Sequence, residues 1–429
     1  MKQIGLAVIL CILGVNNANS QVYSEKKTKH RFAQSYIGLN TQYIPGSGQV
    51  YFGGEAQSFN PMLIPRLNLG GLHFWGHLDF NMNIPLTRIG SEDLKNGNQI
   101  YFNSGADLSA RYYPWALKNG AIRPFTGVSF NTMSLGLESE QIGERFEGFI
   151  AYSLLGGISY SFQNWQINAE IMFLPNETRP FYSDRDLQEN ISLPNSYFSL
   201  GIARLIDFTL PEEEHLSSGR TEKLKNAVLK NKSLNSLSIG FAANGSYSLR
   251  SPSFKGEWKS LPEHKGSFNW EYSIGYLLDK PDLHFGLTYR NYQSTSYSYG
   301  LEHVIRREAL SLEAFKFIWD YNGFVPFVGF SLSAERWAAG LFKDDILQGN
   351  VAQSELISPG IIFGWDIRPS AIDTWVLRTN LRYYPQQEIN DALGGKSRID
   401  QFEFNFIQFV FYPNRWWKLK TAKKRLGNA

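Results

Sequence analysis

Along most of the chain, apolar and polar residues alternate one by one. From Trp165 to Pro175, Ile167, Ala169, Ile171 and Phe173 point one way, while Gln166, Asn168 and Glu170 point the other. From Val376 to Tyr384, Leu377, Thr379, Leu381 and Tyr383 oppose Arg378, Asn380 and Arg382; from Gln401 on, Phe402, Phe404 and Phe406 oppose Glu403 and Asn405. A period of two is the period of a strand. A strand with charge on one side and strong apolarity on the other suits a wall between lipid and an enclosed interior. The alternation predicts strands over 34–44, 62–70, 72–84, 100–114, 121–137, 146–162, 165–175 and 196–208. A second group follows over 234–249, 268–278, 283–298, 301–319, 324–341, 355–367, 374–385 and 399–413.

The connections alternate in length. Short ones are read at Gly70-Gly71, Leu117 to Gly120, Gln163-Asn164, Asp279 to Asp282, Tyr321-Asn322-Gly323 and Arg368 to Asp373; two contain Asn-Gly, a hairpin-turn signal. Long polar ones fall near 45–61, 85–99, 138–147, 176–195, 250–267, 342–354 and 386–397. Short periplasmic turns alternating with long outer loops characterise transmembrane barrels, and with the amino terminus in the periplasm each group starts and ends on that side. The expected fold is all-β: a transmembrane antiparallel β-barrel of sixteen strands built as two eight-strand repeats.

The two groups overlay. Pro124-Phe125-Thr126-Gly127-Val128-Ser129 matches Pro326-Phe327-Val328-Gly329-Phe330-Ser331, each just after an Asn-Gly turn. Trp165 and Pro175 share their spacing with Trp375 and Pro385, and Lys223-Leu224-Lys225-Asn226-Ala227 echoes Lys418-Leu419-Lys420-Thr421-Ala422. Three correspondences in one order argue for an internal duplication. On the Pro-Phe-x-Gly-x-Ser strand and the aromatic-ended final strands, Phe198 to Phe208 and Phe402 to Phe411, each half resembles the eight-strand unit of the OmpA/OmpX-like outer membrane β-barrel family. That resemblance implies outer-membrane lipid as surroundings and the barrel-insertion machinery as a partner in biogenesis; it implies location more than activity. The chain departs from it by continuing past the final aromatic as a basic tail. Edge closure favours one barrel of sixteen strands. Two tandem barrels of eight are the alternative, because charges within each half are able to balance locally.

The amino terminus brings in export. Met1-Lys2-Gln3 precedes an apolar run from Ile4 to Val15, then Ala18 and Ser20 sit where a signal peptidase reads small residues. The expected organisation is a signal peptide over 1–20, a first repeat over 21–208, a periplasmic linker with a short helix over 209–232, a second repeat over 233–417 and a basic periplasmic tail over 418–429. Cys11, the only cysteine, lies in the apolar run, so a chain cleaved after Ser20 has no disulfide, thiolate metal site or cysteine nucleophile. Phe, Trp and Tyr make up 15% of residues while mean hydropathy is negative, a mixture that fits girdled strands and not apolar helices. The net charge of +3 points to no nucleic-acid partner.

Candidate chemistry is sparse. His73, His77 and Asp79 have even spacing on one expected strand, but without a second histidine cluster a hydrogen-bond network is the better reading, and no metal or cofactor is expected. Ser129 and Ser331 belong to the repeated motif, which suits packing and not catalysis, so no enzyme is expected. The inward charges are the candidate lumen lining: Arg66, Asp79, Asp107, Arg111 and Glu170 in the first half, and Arg290, Glu313, Arg378, Arg382 and Glu403 in the second. Arg378 and Arg382 form a basic stripe absent from the first half; it biases an open pore toward anions, or pairs with Glu403 on the next strand in a sealed one. The expected function is a passive channel for small solutes in the outer membrane. The alternative is a non-conducting structural or interaction barrel, or a subunit of an envelope complex whose protein partners the sequence does not name.

Overall fold

The computed structural model describes residues 31–46, 48–52, 55–87, 91–94, 98–139, 143–175, 178–207, 226, 228, 234–250, 254, 258–321, 323–368, 374–392 and 394–427. The expected signal peptide and nearly all of the expected linker lie outside the described residues; of the linker, Asn226 and Val228 are described and are helical. The strands are β1 (Ala33–Ile44), β2 (Gln49–Phe52), β3 (Glu55–Ser58), β4 (Met62–His73), β5 (Leu78–Pro85), β6 (Ser91–Leu94), β7 (Asn98–Tyr112) and β8 (Ala121–Ser139). Next come β9 (Gly143–Phe162), β10 (Trp165–Phe173), β11 (Thr178–Tyr182), β12 (Gln188–Ser192), β13 (Ser196–Asp207), β14 (Ser236–Arg250) and β15 (Gly266–Leu278). The chain ends with β16 (Leu283–Ser298), β17 (Leu301–Phe317), β18 (Phe324–Lys343), β19 (Ile346–Leu347), β20 (Ala352–Ile367), β21 (Trp375–Asn390), β22 (Lys396–Phe411) and helix α1 (Pro413–Gly427).

Strand pairing draws two closed circuits. In the first, the antiparallel ladder runs from β1 through β4, β5, β7, β8, β9 and β10 to β13. Strand β13 returns to β1, with Gln34 opposite Asp207 and Tyr43 opposite Phe198. In the second, it runs from β14 through β15, β16, β17, β18, β20 and β21 to β22. There Ile239 faces Phe411 as β22 returns to β14. The expected all-β antiparallel barrel class holds, but the favoured single barrel of sixteen strands is corrected to two barrels of eight. One large barrel needs β1 beside β22, and β1 lies between β4 and β13 instead. Both closures abolish free edges, so edge removal does not distinguish them.

The barrels are inside out relative to a water-soluble protein. Along β16, Phe285, Leu287 and Tyr289 are more than 40% exposed, while His284, Thr288 and Arg290 between them are buried. Along β9, β13 and β20 exposed apolar residues alternate in the same way with buried ones, many of them small or polar. Only hydrocarbon makes such an outer surface favourable, and closed barrels leave no backbone group unpaired within it. At the loop end the apolar belt stops at exposed charges, Glu308 on β17 and the Arg336–Glu355 pair at 3.4 Å between β18 and β20. Among the described residues no helix is long and apolar enough to cross a bilayer. The chain is an outer-membrane β-barrel protein that crosses with strands.

One expected turn is misplaced. Gly70-Gly71 lies inside β4, and the chain reverses at Phe74, Trp75 and Gly76, all with positive φ. Glycine at 70 serves a close approach: a Cβ there would overlap the Tyr36 ring. The motif strands, by contrast, take equivalent places. Phe125 lies on the fifth strand of the first barrel and Phe327 on the fifth of the second, each packed over a glycine of the sixth, Gly157 or Gly364. The Trp165 and Trp375 strands are the seventh of each.

The barrels touch side by side. At the short-turn end, Phe32, Phe74, Trp75 and Phe80 of the first meet Tyr321, Phe324 and Trp365 of the second, with Phe74–Phe324 ring centroids 5.0 Å apart. At the loop end β9 pairs briefly with β16, Phe146 facing Tyr297, and Arg185 donates to the Tyr299 carbonyl at 3.1 Å. Over the first barrel's mouth, β11, β12, β2 and β3 form a small separate sheet.

The two-barrel closure is checked by cysteine pairs in a Cys11→Ser background. Leu39→Cys with Ile202→Cys, opposite each other on β1 and β13, is expected to oxidise to a disulfide in folded protein. Leu39→Cys with Phe409→Cys is expected to keep both thiols, read by maleimide labelling; a disulfide there would reinstate the sixteen-strand closure.

Candidate functional site: the two barrel interiors

Eight strands enclose a lumen just wide enough for side chains, and here those side chains are charged. In the first barrel Arg111 on β7 holds Glu170 of β10 at 2.8 Å and Asp79 of β5 at 3.3 Å, and the Tyr36 hydroxyl donates to Asp79 at 2.7 Å. Arg66 on β4 pairs with Asp107 of β7, which also accepts from Asn83 at 2.8 Å. Arg123 donates to the Gly76 carbonyl at 2.9 Å and lies 4.3 Å from the Tyr113 ring centroid.

The second barrel carries three tiers. Nearest the short turns, Arg378 of β21 binds Asp366 of β20 at 2.7 Å. At mid-height Arg382 of β21 reaches across the lumen to Glu271 of β15 at 2.7 Å and Glu313 of β17 at 2.6 Å. Above it Glu403 lies between Arg290 and Arg307, and Arg307 holds Glu335 of β18 at 2.6 Å. Gln387 donates to Glu335 at 3.0 Å and to Ser358 at 2.9 Å. Arg66, Arg111, Arg290 and Arg382 are each 1% exposed and Arg307 is 2% exposed. Buried charges at this density stand only because each has a partner.

All ten sequence-assigned lumen residues lie in these networks. One expected pairing is corrected: Glu403, assigned to Arg378 and Arg382, is taken by Arg290 and Arg307. Arg382 does face Glu403 across the β21–β22 ladder, but its long side chain reaches carboxylates on the far wall. Arg123, Arg307 and Glu335 were missed. Even spacing from Glu313 puts Arg307 on the same face, a signal masked by Arg306 and Glu308 beside it. The His73, His77 and Asp79 alignment fails because the turn after His73 intervenes. His77 contacts the Tyr113 carbonyl at 3.0 Å, His73 lies beside Phe80, and Asp79 alone joins the charge network. Among the described residues no three His, Asp, Glu or Cys side chains converge in metal-holding geometry. Ser129 and Ser331 are buried, bonded to Asn131 and to the Tyr384 hydroxyl.

Both mouths are covered at the loop end. In the first barrel Leu135, Leu137 and Phe149 pack beneath the small sheet against Phe181 and Ile191, with Arg179 over Phe149 at 4.3 Å. In the second, Trp258 and Leu261 of the β14–β15 loop pack on Leu301 and Leu341. Beside them runs a polar chain that sequence distance hides: Ser294 Oγ to His264 Nδ1 at 2.7 Å, His264 Nε2 to His303 Nδ1 at 2.9 Å, and His303 Nε2 to Asp391 at 3.9 Å. Burial first, and the neighbouring His303 second, push His264 down to about 3.

No known family description matches the sequence, and no curated protein matches it. Among solved structures, Neisserial surface protein A is similar over 42% of this chain and 96% of its own, at 16% identity and a TM-score of 0.29. Ail, the attachment invasion locus protein of Yersinia pestis, is similar over 42% and 96%, at 12% identity and 0.28. An outer membrane channel from Pseudomonas putida F1 is similar over 91% and 99%, at 9% identity and 0.21. The barrel assignment rests on the strand pairing and the inverted exposure.

Arg382→Ala strands two buried carboxylates and is expected to cost about 3–5 kcal/mol. It should lower the temperature at which the compact unheated gel band converts to the extended one, whereas Arg336→Ala, at an exposed pair, leaves that temperature nearly unchanged.

A second expectation concerns acid. His264 is neutral when folded and takes up a proton near pH 6.5 once released, so its contribution is intact at neutral pH and is lost as pH falls from about 6.5 toward 3. Protease cleavage within 254–265 should rise between pH 7.5 and pH 5 in the native protein. The rise should be smaller in His264→Gln, the remainder being carried by His303, which the same loop covers.

Proposed function

We propose that the protein is a non-conducting outer-membrane barrel pair, a structural or interaction component of the envelope and not a solute channel. The observation that carries this reading is the fork of Arg382, which spans the lumen between β15 and β17 while 1% exposed. A conducting pore lined by arginines needs their guanidinium groups solvated, so that an ion exchanges water for them at little cost. Here every tier has already exchanged water for a carboxylate, and opening a path means separating buried ion pairs. The covered mouths add apolar closures at the loop end.

A solid interior turns attention to what the barrels hold out at their ends. Side-by-side contact at both ends makes the pair a broad, stiff footprint in the membrane. The small sheet of β2, β3, β11 and β12 and the β14–β15 loop stand on one side, and α1 on the other. Interaction through these ends, without catalysis, is the role the geometry supports. Burial of Ser129 and Ser331 away from the lipid–water rim supports the non-enzymatic part of the reading.

Purified protein in planar bilayers is expected to give no discrete current steps, with flotation on liposomes confirming insertion of the same preparation. Ohmic steps that vanish on heat denaturation would replace this proposal with the channel.

A further inference from the structure

Helix α1 presents a surface that the barrels do not use. It begins two residues after the last strand, and its sequence from Pro413 to Gly427 contains no acidic residue. One side is fixed to the second barrel. Arg415 is buried, donating to Ser236 Oγ at 2.6 Å and to the Leu234 carbonyl at 3.2 Å, and Asn414 donates to the Asn235 carbonyl at 3.0 Å. Ala422 lies on the same side and is buried. The opposite side carries Trp416, 42% exposed, and Trp417, 65% exposed, followed by exposed Lys420, Lys423 and Lys424. The Lys420 ammonium stands 5.1 Å from the Trp416 ring and 5.8 Å from that of Trp417.

The height of this surface is set by the strands. Tyr412 N–H donates to the Thr374 carbonyl at 2.7 Å, and Trp416 N–H donates to the Tyr412 carbonyl at 3.1 Å. Next to Thr374, Trp375 stacks on outward-facing Phe409 with centroids 6.0 Å apart. That pair belongs to the aromatic belt at the short-turn end, so the first turn of α1 leaves the barrel at the level of the lipid headgroups. Two indoles held there, with ammonium groups beside them on a helix whose own sequence has no acidic residue, match the two parts of a lipid interface: an acyl boundary for the rings and phosphate for the lysines.

We propose that α1 is an interfacial anchor whose Trp416–Trp417–Lys420 face binds anionic phospholipid in the leaflet at the short-turn end. Its fixed side holds it against the second barrel, and its free side rests on the membrane surface around that barrel. The proposal does not depend on whether the lumens conduct.

Full-length protein with Cys11→Ser and Thr421→Cys, spin-labelled at the new thiol, tests this in nanodiscs. With about a third phosphatidylglycerol in phosphatidylcholine, the label is expected to be several-fold less accessible to a water-soluble nickel relaxant than in phosphatidylcholine alone. Raising the salt to 0.5 M should erase most of that difference. A variant with Lys418, Lys420, Lys423 and Lys424 all changed to Gln, which keeps Arg415 and the folded gel band, is expected to show equal accessibility in both discs. Equal accessibility for the native helix, or a difference that persists in the glutamine variant, overturns the proposal. So does a label that stays open to the relaxant in both discs and is shielded only by added peptidoglycan fragments, which would assign the face to the cell-wall polymer.

Discussion

Eight strands enclose a lumen little wider than the side chains that fill it, so a charge in its middle is withdrawn from bulk water, and the outside is committed to lipid. The charges the alternation sends inward must therefore find partners among the groups that face them, as Arg111 does with Asp79 and Glu170. This constraint explains why the interiors read as ion-pair networks instead of hydrated walls, and why the largest fully buried side chains are led by arginines. A guanidinium suits the task because its planar fork engages two carboxylates at once, as Arg382 does with Glu271 and Glu313. Packing contributes too: Phe125 and Phe327 lie over strand glycines and fill the volume that the charges leave.

The same constraint decides how the strands close. Removing sheet edges is satisfied by one barrel or by two, so it has no discriminating power. Reach does discriminate. Arg382 touches carboxylates on β15 and β17, and Arg111 touches carboxylates on β5 and β10, contacts that need the facing walls within about two side-chain lengths. A sixteen-strand wall roughly doubles the diameter, since diameter grows about linearly with strand number, and separates those partners. The charge complement of each half was visible in the sequence, where Arg66 and Arg111 are matched by Asp79, Asp107 and Glu170. Weighing that local balance above edge closure leads to two barrels.

Alternation made the strands and the ten lumen residues legible, because lipid and lumen impose opposite demands on neighbouring positions. Where that contrast weakens, the sequence becomes ambiguous. Arg306-Arg307-Glu308 is charged on both faces, since β17 passes beyond the lipid belt there, and the inward Arg307 has no apolar neighbour to mark it. Gly70-Gly71 looks like a turn because glycine lacks a side chain to alternate, yet Gly70 is where the Tyr36 ring passes on its way to Asp79. The Ser294–His264–His303–Asp391 chain was out of reach for another reason. Its members come from four segments, and only the outer ends of β16, β17 and the connecting loops bring them together.

Two barrels side by side differ from one in what their ends are able to do. A single barrel of this size turns freely about its axis in the membrane, so its loops have no fixed azimuth. Contacts at both ends of this pair, aromatic at Phe74–Phe324 and polar at Arg185–Tyr299, remove that rotation of one barrel against the other. The loop-end sheet of the first barrel and the tucked loop of the second are then held at a set separation, and α1 leaves at a set position on the opposite side. Aligned surfaces of this kind are what recognition requires. They follow from the lateral packing of the two barrels at both ends.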